Sequence, residues 1–266
     1  MRYAVPFIPQ KKNIIALTLH NIPDNKTSWF EQTISYIHDK YGFINPGQVL
    51  VEDKKVHSGR VLLTFDDGFE SNIKVCRKFL DPLGIKAVFF ISSGFIDCSE
   101  DDAFNFAQNF IFPSRPIMEK DGSMRSMTWE DICSLSSTGH YIGGHTHSHQ
   151  TLKSLTQDEK RREILMSADE IEQQISAPVN LFAYPFGNLN SVNREAVYIA
   201  SERFSMAFSN IRGGIDESDS RYFLFRQNIE PGTPLWLVDA ILLGKLDWKY
   251  VFQRKKANKE FRAIGK

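Results

Sequence analysis

Val61-Leu62-Leu63-Thr64-Phe65-Asp66-Asp67-Gly68 is an apolar run that ends in two adjacent carboxylates and a glycine. It reads as a strand followed by a polar loop at its carboxyl end. In barrels and open α/β sheets, reactive groups gather at that end because the loops there can approach a ligand. Asp-Asp-Gly is also an ordinary turn. What decides between the readings is the company these carboxylates keep.

Working outward, short apolar runs alternate with stretches of helical period, the order expected of βα units around a parallel sheet or barrel. Strands are predicted at Ile14–Leu19, Val61–Phe65, Ala87–Ile91, Tyr141–Gly143, Leu181–Ala183, Met206–Phe208 and Tyr222–Phe225. Helices are predicted over Ser28–Tyr41, which stops before Gly42, and Ser71–Leu80, which stops ahead of Pro82. Thr128-Trp129-Glu130-Asp131 and Thr156-Gln157-Asp158-Glu159 each fit a capping box, so a helix should start at both. After the second, Ile164, Ala168, Ile171 and Ile175 form one apolar stripe on a helix ending near Pro178. Asp97 to Ser126 has weak periodicity and contains Pro113, Pro116 and Gly122. It reads as an insertion after the third strand, with phenylalanines suited to covering a cleft.

The second chemical signal is Gly143-Gly144-His145-Thr146-His147-Ser148-His149, where three of the chain's seven histidines fall together after another apolar run. Imidazoles four residues apart share one face of a helical turn and can grip one metal, with a carboxylate from elsewhere completing the set. A lone histidine is more often a satisfied core or surface group, and His38, His57 and His140 are read as surface residues.

Together, Thr64-Phe65-Asp66-Asp67-Gly68 and His145-Thr146-His147-Ser148-His149 resemble the first two motifs of the polysaccharide deacetylases, the NodB-homology group, the second matching H-[ST]-x-x-H. The resemblance extends from Leu17-Thr18-Leu19-His20 through Phe182-Ala183-Tyr184-Pro185-Phe186-Gly187 to Phe225-Arg226, roughly the first 230 residues. It implies a single-domain distorted (β/α) barrel with a metal, usually zinc, held by Asp67, His145 and His149, while His147 takes a variable position. It also implies Asp66 as the base that deprotonates the attacking water. The Pro-aromatic motif would place an oxyanion-binding N–H at Phe186, with Tyr184 and Pro185 shaping the substrate wall. Leu19-His20 resembles the Tyr-His of a branch whose acid histidine lies near the N-terminus, making His20 the candidate acid; a strand-end histidine bonded to backbone is the other reading.

The sequence departs from the family where many members have Arg-x-Pro-Tyr, since Ala183 stands at the arginine position. Arg226 is the candidate replacement, because a guanidinium can bind a carboxylate at two points. A surface ion pair is the alternative for Arg226, and a weakened enzyme or sugar-binding protein is the alternative for the chain. The activity implied is removal of an N-acyl group, acetyl above all, from an amino sugar of a glycan or its precursor; N-deformylation and cyclic-amide opening are chemically close.

The chain has 266 residues, 42% hydrophobic and 24% charged, enough for a large core. With 32 basic and 32 acidic residues it carries no overall footprint for nucleic acid. Cys76, Cys98 and Cys133 are widely spaced and read as buried free thiols. The first residues contain no apolar run of signal-peptide length, which gives the expectation of a cytoplasmic protein. Residues 1–235 are assigned to the catalytic domain and 236–266 to a basic C-terminal helix or tail, whose lysines and aromatics suit peripheral membrane contact.

Overall fold

A computed structural model describes residues 14–50, 61–116, 120, 122–216 and 219–264, in which seven parallel strands close into one barrel in sequence order. The first half runs β1 (Ile15–Leu19), α1 (Thr27–Lys40), α2 (Pro46–Leu50), β2 (Val61–Phe65), α3 (Glu70–Val75), β3 (Val88–Ile91), α4 (Glu100–Phe106) and α5 (Trp129–Ser137). The second runs β4 (Tyr141–Gly144), α6 (Gln157–Arg161), α7 (Ser167–Ile175), β5 (Leu181–Ala183), α8 (Arg194–Arg203), β6 (Met206–Arg212), β7 (Leu224–Asn228), α9 (Leu235–Leu242) and α10 (Val251–Phe261). β1 pairs with β2 along its whole length, and β7 closes the circle through Leu17↔Gln227 and Thr18↔Asn228.

Successive side chains of a strand point to opposite faces, and here that alternation sorts two cores. Ala16, Leu62, Val88, Phe90, Leu181, Ala183, Phe208 and Leu224 fill the lumen. Their neighbours Leu17, Leu63, Phe89, Phe182 and Phe225 point outward beneath the helices. By the same parity Thr18, Thr64 and Arg226 fall on the luminal side. β6 and β7 run further towards their carboxyl ends than their apolar residues suggested, because polar Ser209, Asn210, Gln227 and Asn228 continue the ladder.

Both capping boxes form: Thr128 and Thr156 each accept from the N3 amide, while Asp131 and Glu159 reach back. The stripe Ile164, Ala168 and Ile171 is fully buried, and the helix ends at Ser176 in the left-handed region. The segment after β3 carries more structure than its weak periodicity suggested. Ser99 caps α4 and three acidic residues occupy its first turn, which continues as a wide turn over Ala107–Ile111. Phe69, Phe95, Ala103 and Ile111 give this segment a small core of its own.

The C-terminal segment is docked. Asp247 accepts from Gln227 Nε2 at 2.7 Å, Tyr36 donates to Asp239 at 2.8 Å, and Phe261 is fully buried. Burying that ring alone contributes about 2 kcal/mol.

His140 corrects the expectation of a surface residue. It is buried, its Nδ1 accepts from the Ala87 N–H at 3.2 Å, and its Nε2 lies 3.0 Å from Asp81 Oδ1 and 3.2 Å from Cys76 Sγ. An Nδ1 that accepts an amide hydrogen leaves Nε2 as the protonated nitrogen of a neutral ring. Burial, against the opposing pull of Asp81, lowers the His140 pKa, and burial pushes the Cys76 thiol up to about 12. Of the other cysteines, Cys98 and Cys133 are half-buried, not buried as expected. His38 is exposed, whereas His57 lies outside the described residues.

Candidate metal centre

Two strand ends deliver the centre: Asp67 follows β2, while His145 and His149 follow β4. His145 Nε2 lies 3.4 Å and His149 Nε2 3.3 Å from Asp67 Oδ1, and all three residues are buried. The far nitrogens are committed elsewhere, His145 Nδ1 donating to Ala183 O at 2.7 Å and His149 Nδ1 to Phe110 O at 2.8 Å. Those two bonds fix the tautomer that leaves both Nε2 lone pairs facing the carboxylate. Both Asp67 oxygens are buried with no hydrogen-bond donor among the described residues. Two imidazole lone pairs and a bare carboxylate converging on one point is a donor set that fits a divalent cation.

The loops reach this geometry at a cost. Asp67, Thr146, His149 and Phe186 all have positive φ, at 78°, 65°, 54° and 58°. Non-glycine residues in that region cost about 1–3 kcal/mol each and gather at functional sites. His145 to His149 is therefore no helical turn, as the four-residue spacing suggested; a bent loop converges the two rings, whose centroids are 5.0 Å apart. Glu163 holds that loop by accepting from His147 N at 3.0 Å, Ser148 N at 2.8 Å and Ser148 Oγ at 2.6 Å. His147 points away, half-exposed, with Nδ1 2.9 Å from Ser93 Oγ.

Beside Asp67, Asp66 is gripped at two points by Arg226, NH1 to Oδ1 at 2.7 Å and NH2 to Oδ2 at 2.6 Å. The guanidinium is completely buried in the lumen, where Nε donates to Ser209 O at 2.8 Å and NH1 also reaches Thr18 and Thr64. The surface ion pair considered for Arg226 is excluded by that burial. Burial pushes the Asp66 pKa up, but the charge and hydrogen bonds of Arg226 together with His145 and His20 outweigh it and leave it below the usual range. His20 Nε2 stands 3.9 Å from Asp66 Oδ2, with about a fifth of its side chain exposed. It lines a cleft of about 420 Å³ together with Lys26, Phe112, Arg115, Asn210 and Asn228.

The family model for polysaccharide deacetylases matches residues 53–202, more than half of the chain and including Asp66, Asp67, His145 and His149. The chain belongs to the polysaccharide deacetylase family. It is 24% identical over 209 residues to YxkH of Bacillus subtilis (strain 168), whose name places it among the polysaccharide deacetylases. The match takes in 76% of this chain and 64% of that protein's length. Among solved structures it resembles the Streptococcus pyogenes deacetylase PplD in complex with acetate, with TM-score 0.67 and 18% identity over 86% of this chain and 98% of that one. IcaB from Ammonifex degensii gives TM-score 0.66 and 17% identity over 88% and 98% of the two chains. The polysaccharide deacetylase BC0361 from Bacillus cereus gives 0.68 and 18% over 87% and 69%. At such identities these likenesses establish the shared barrel.

Within this polysaccharide deacetylase fold the Pro-aromatic residues divide by strand parity. Ala183 faces the lumen, so Tyr184 faces outward: it is buried against Phe182 and Phe223 and its hydroxyl donates to Tyr222 O at 2.8 Å. Its expected place on the substrate wall is thereby corrected to the core beneath the helices. Pro185 is buried in the turn, accepting from Gly187 N. Phe186 is half-buried with its ring 4.9 Å from the His149 ring. Among the described residues no backbone acceptor takes its N–H, whereas Tyr184 N–H and Gly187 N–H are both bonded. Gly187 is required, because a Cβ there would sit 2.4 Å from Asn210 N. Glu163 and Phe110 had no motif to announce them; only their contacts mark them.

Proposed function

We propose that the protein is a metal-dependent hydrolase that removes an N-acyl group, acetyl above all, from an amino sugar of a glycan or glycan precursor. The observation that carries this reading is the bare carboxylate of Asp67 facing two Nε2 atoms beside a second carboxylate locked by Arg226. A binding protein would need the first set alone, and a second buried carboxylate is costly unless it moves protons. The same observation disfavours a weakened enzyme: Arg226 supplies the orienting cation missing at Ala183.

A divalent ion held by Asp67, His145 and His149, for which zinc suits the donor set, would supply Lewis acidity and a water of lowered pKa. Asp66 takes a proton from the attacking water, its rotamer fixed by two bonds to one guanidinium. The Phe186 N–H donates to the acyl oxygen as negative charge develops there. His20, in the cleft and too far from Asp66 to be hydrogen-bonded to it, gives a proton to the departing amine nitrogen. Pro185 and the Phe186 ring border the acyl group. N-deformylation or opening of a cyclic amide would use the same steps.

Asp66→Asn tests the reading, because it keeps size and leaves the three ligands untouched. With N-acetylglucosamine oligomers as the probe, acetate release should fall by at least about 10²-fold while metal content stays at the parent value. Turnover equal to the parent at full metal content would overturn it.

A further inference from the structure

From Asp247 the C-terminal chain is helical without a break to Phe261, one 3₁₀ turn leading straight into α10. One face is sealed: Asp247, Ala257 and Phe261 are buried, and Gln227 pins the first turn to β7, the strand that carries Arg226. The other face is open. Trp248 is 68% and Phe252 84% exposed, the latter the most exposed large apolar side chain of the described residues. They stand four residues apart, so their rings lie one above the other. Lys249, Lys255, Lys256 and Lys259 are exposed around them, and Lys249 Nζ lies 5.7 Å from the Trp248 ring centre. The acidic residues of the segment are elsewhere: Asp247 faces inward and Glu260 is half-buried.

We propose that this outward stripe is a docking surface for an anionic lipid bilayer, holding the barrel peripherally with α10 in the headgroup layer. The stripe's composition selects that occupant. Protein interfaces are depleted of lysine at their cores, whereas here lysines surround both aromatics. Trp and Phe partition into the headgroup boundary, and flexible, strongly hydrated ammonium groups meet anionic headgroups without needing a fixed geometry. No helix among the described residues is long and apolar enough to cross a membrane, so the contact is superficial. The stripe shares no residue with the metal centre, and the proposal stands or falls separately from the hydrolase reading.

The test is co-sedimentation of the full chain with vesicles of phosphatidylcholine alone and of phosphatidylcholine with about one-third phosphatidylglycerol, across a salt series. Binding to the anionic vesicles should exceed binding to the neutral ones by about tenfold or more and weaken with salt. Trp248→Ser/Phe252→Ser and, separately, Lys249→Gln/Lys255→Gln/Lys256→Gln/Lys259→Gln should each reduce it by about tenfold, with circular dichroism unchanged because all six side chains are exposed. Absence of binding to anionic vesicles overturns the proposal, as does binding that neither variant weakens. Loss on removing the lysines but not the aromatics, with equal affinity for heparin, would also overturn it, revealing a general polyanion site.

Discussion

Arg226→Lys keeps the buried positive charge and removes the fork. In the parent, two charge-assisted bonds of 2.7 and 2.6 Å run to Asp66, and Nε donates to Ser209 O at 2.8 Å. An ammonium in the same place can satisfy one Asp66 oxygen. The loss is then one charge-assisted bond, about 1.5–3 kcal/mol, and one ordinary bond, about 0.5–1.5 kcal/mol, or about 2–4.5 kcal/mol of folding stability. Arg226→Met should be worse, about 3–5 kcal/mol, since it strands a buried carboxylate. A base swinging on a single contact is also misplaced for proton transfer, and misplacement of this order costs up to about 10²-fold in rate. Urea unfolding of parent and variant gives the first number, and acetate release at matched metal content gives the second. Combining Arg226→Lys with Asp66→Asn should slow the reaction little beyond Asp66→Asn alone, because the pair acts as a unit. If Arg226→Lys unfolds within about 0.5 kcal/mol of the parent and keeps its turnover, the two-point grip is not what orients Asp66.

His145→Ala and His149→Ala should each bring metal content from about one ion per chain to near zero by elemental analysis; full content in both variants would remove the assignment. His20→Ala should slow amide hydrolysis far more than hydrolysis of an activated acyl ester, whose leaving group needs no proton, and equal losses would make His20 structural. Stability should also respond to His140, whose folded pKa lies below its unfolded value of about 6.5. As pH falls through that value the unfolded chain takes up the proton first, so stability drops, by at most about 1.4 kcal/mol per pH unit, until the folded state protonates too. Urea midpoints between about pH 7.5 and 5 should therefore slope more steeply for the parent than for His140→Asn, and identical slopes would refute this.

The strands were legible because luminal burial on one side and helix burial on the other leave runs such as Val61–Phe65 buried throughout and almost wholly apolar. The helix starts at Thr128 and Thr156 were legible because a capping box is a local hydrogen-bond pattern. The grouping of Asp67, His145 and His149 was legible because polar side chains that meet in such a barrel crowd at strand ends. Other features depend on contacts distant in sequence. The burial of His140 follows from Asp81 and Cys76 on the helical stretch between β2 and β3, and nothing near position 140 marks it. The outward turn of Tyr184 follows from strand parity, which a three-residue strand states too briefly to be read alone. The ordered segment after β3 is held by its own phenylalanine core and by Phe110 O on His149, neither of which has a period.

The lumen of the barrel is a closed electrical account. Ala183 and Phe90 belong to its apolar cluster, the Arg226 guanidinium lies 5.5 Å from the Phe90 ring centre, and Asp66 is the acid that neutralises it. One buried guanidinium meets one buried carboxylate there. Restoring an arginine at position 183 while Arg226 remains would set two guanidinium groups against a single carboxylate in a space sealed from water. A second buried cation would therefore need a second buried anion, so adding charge to this lumen is a two-residue change.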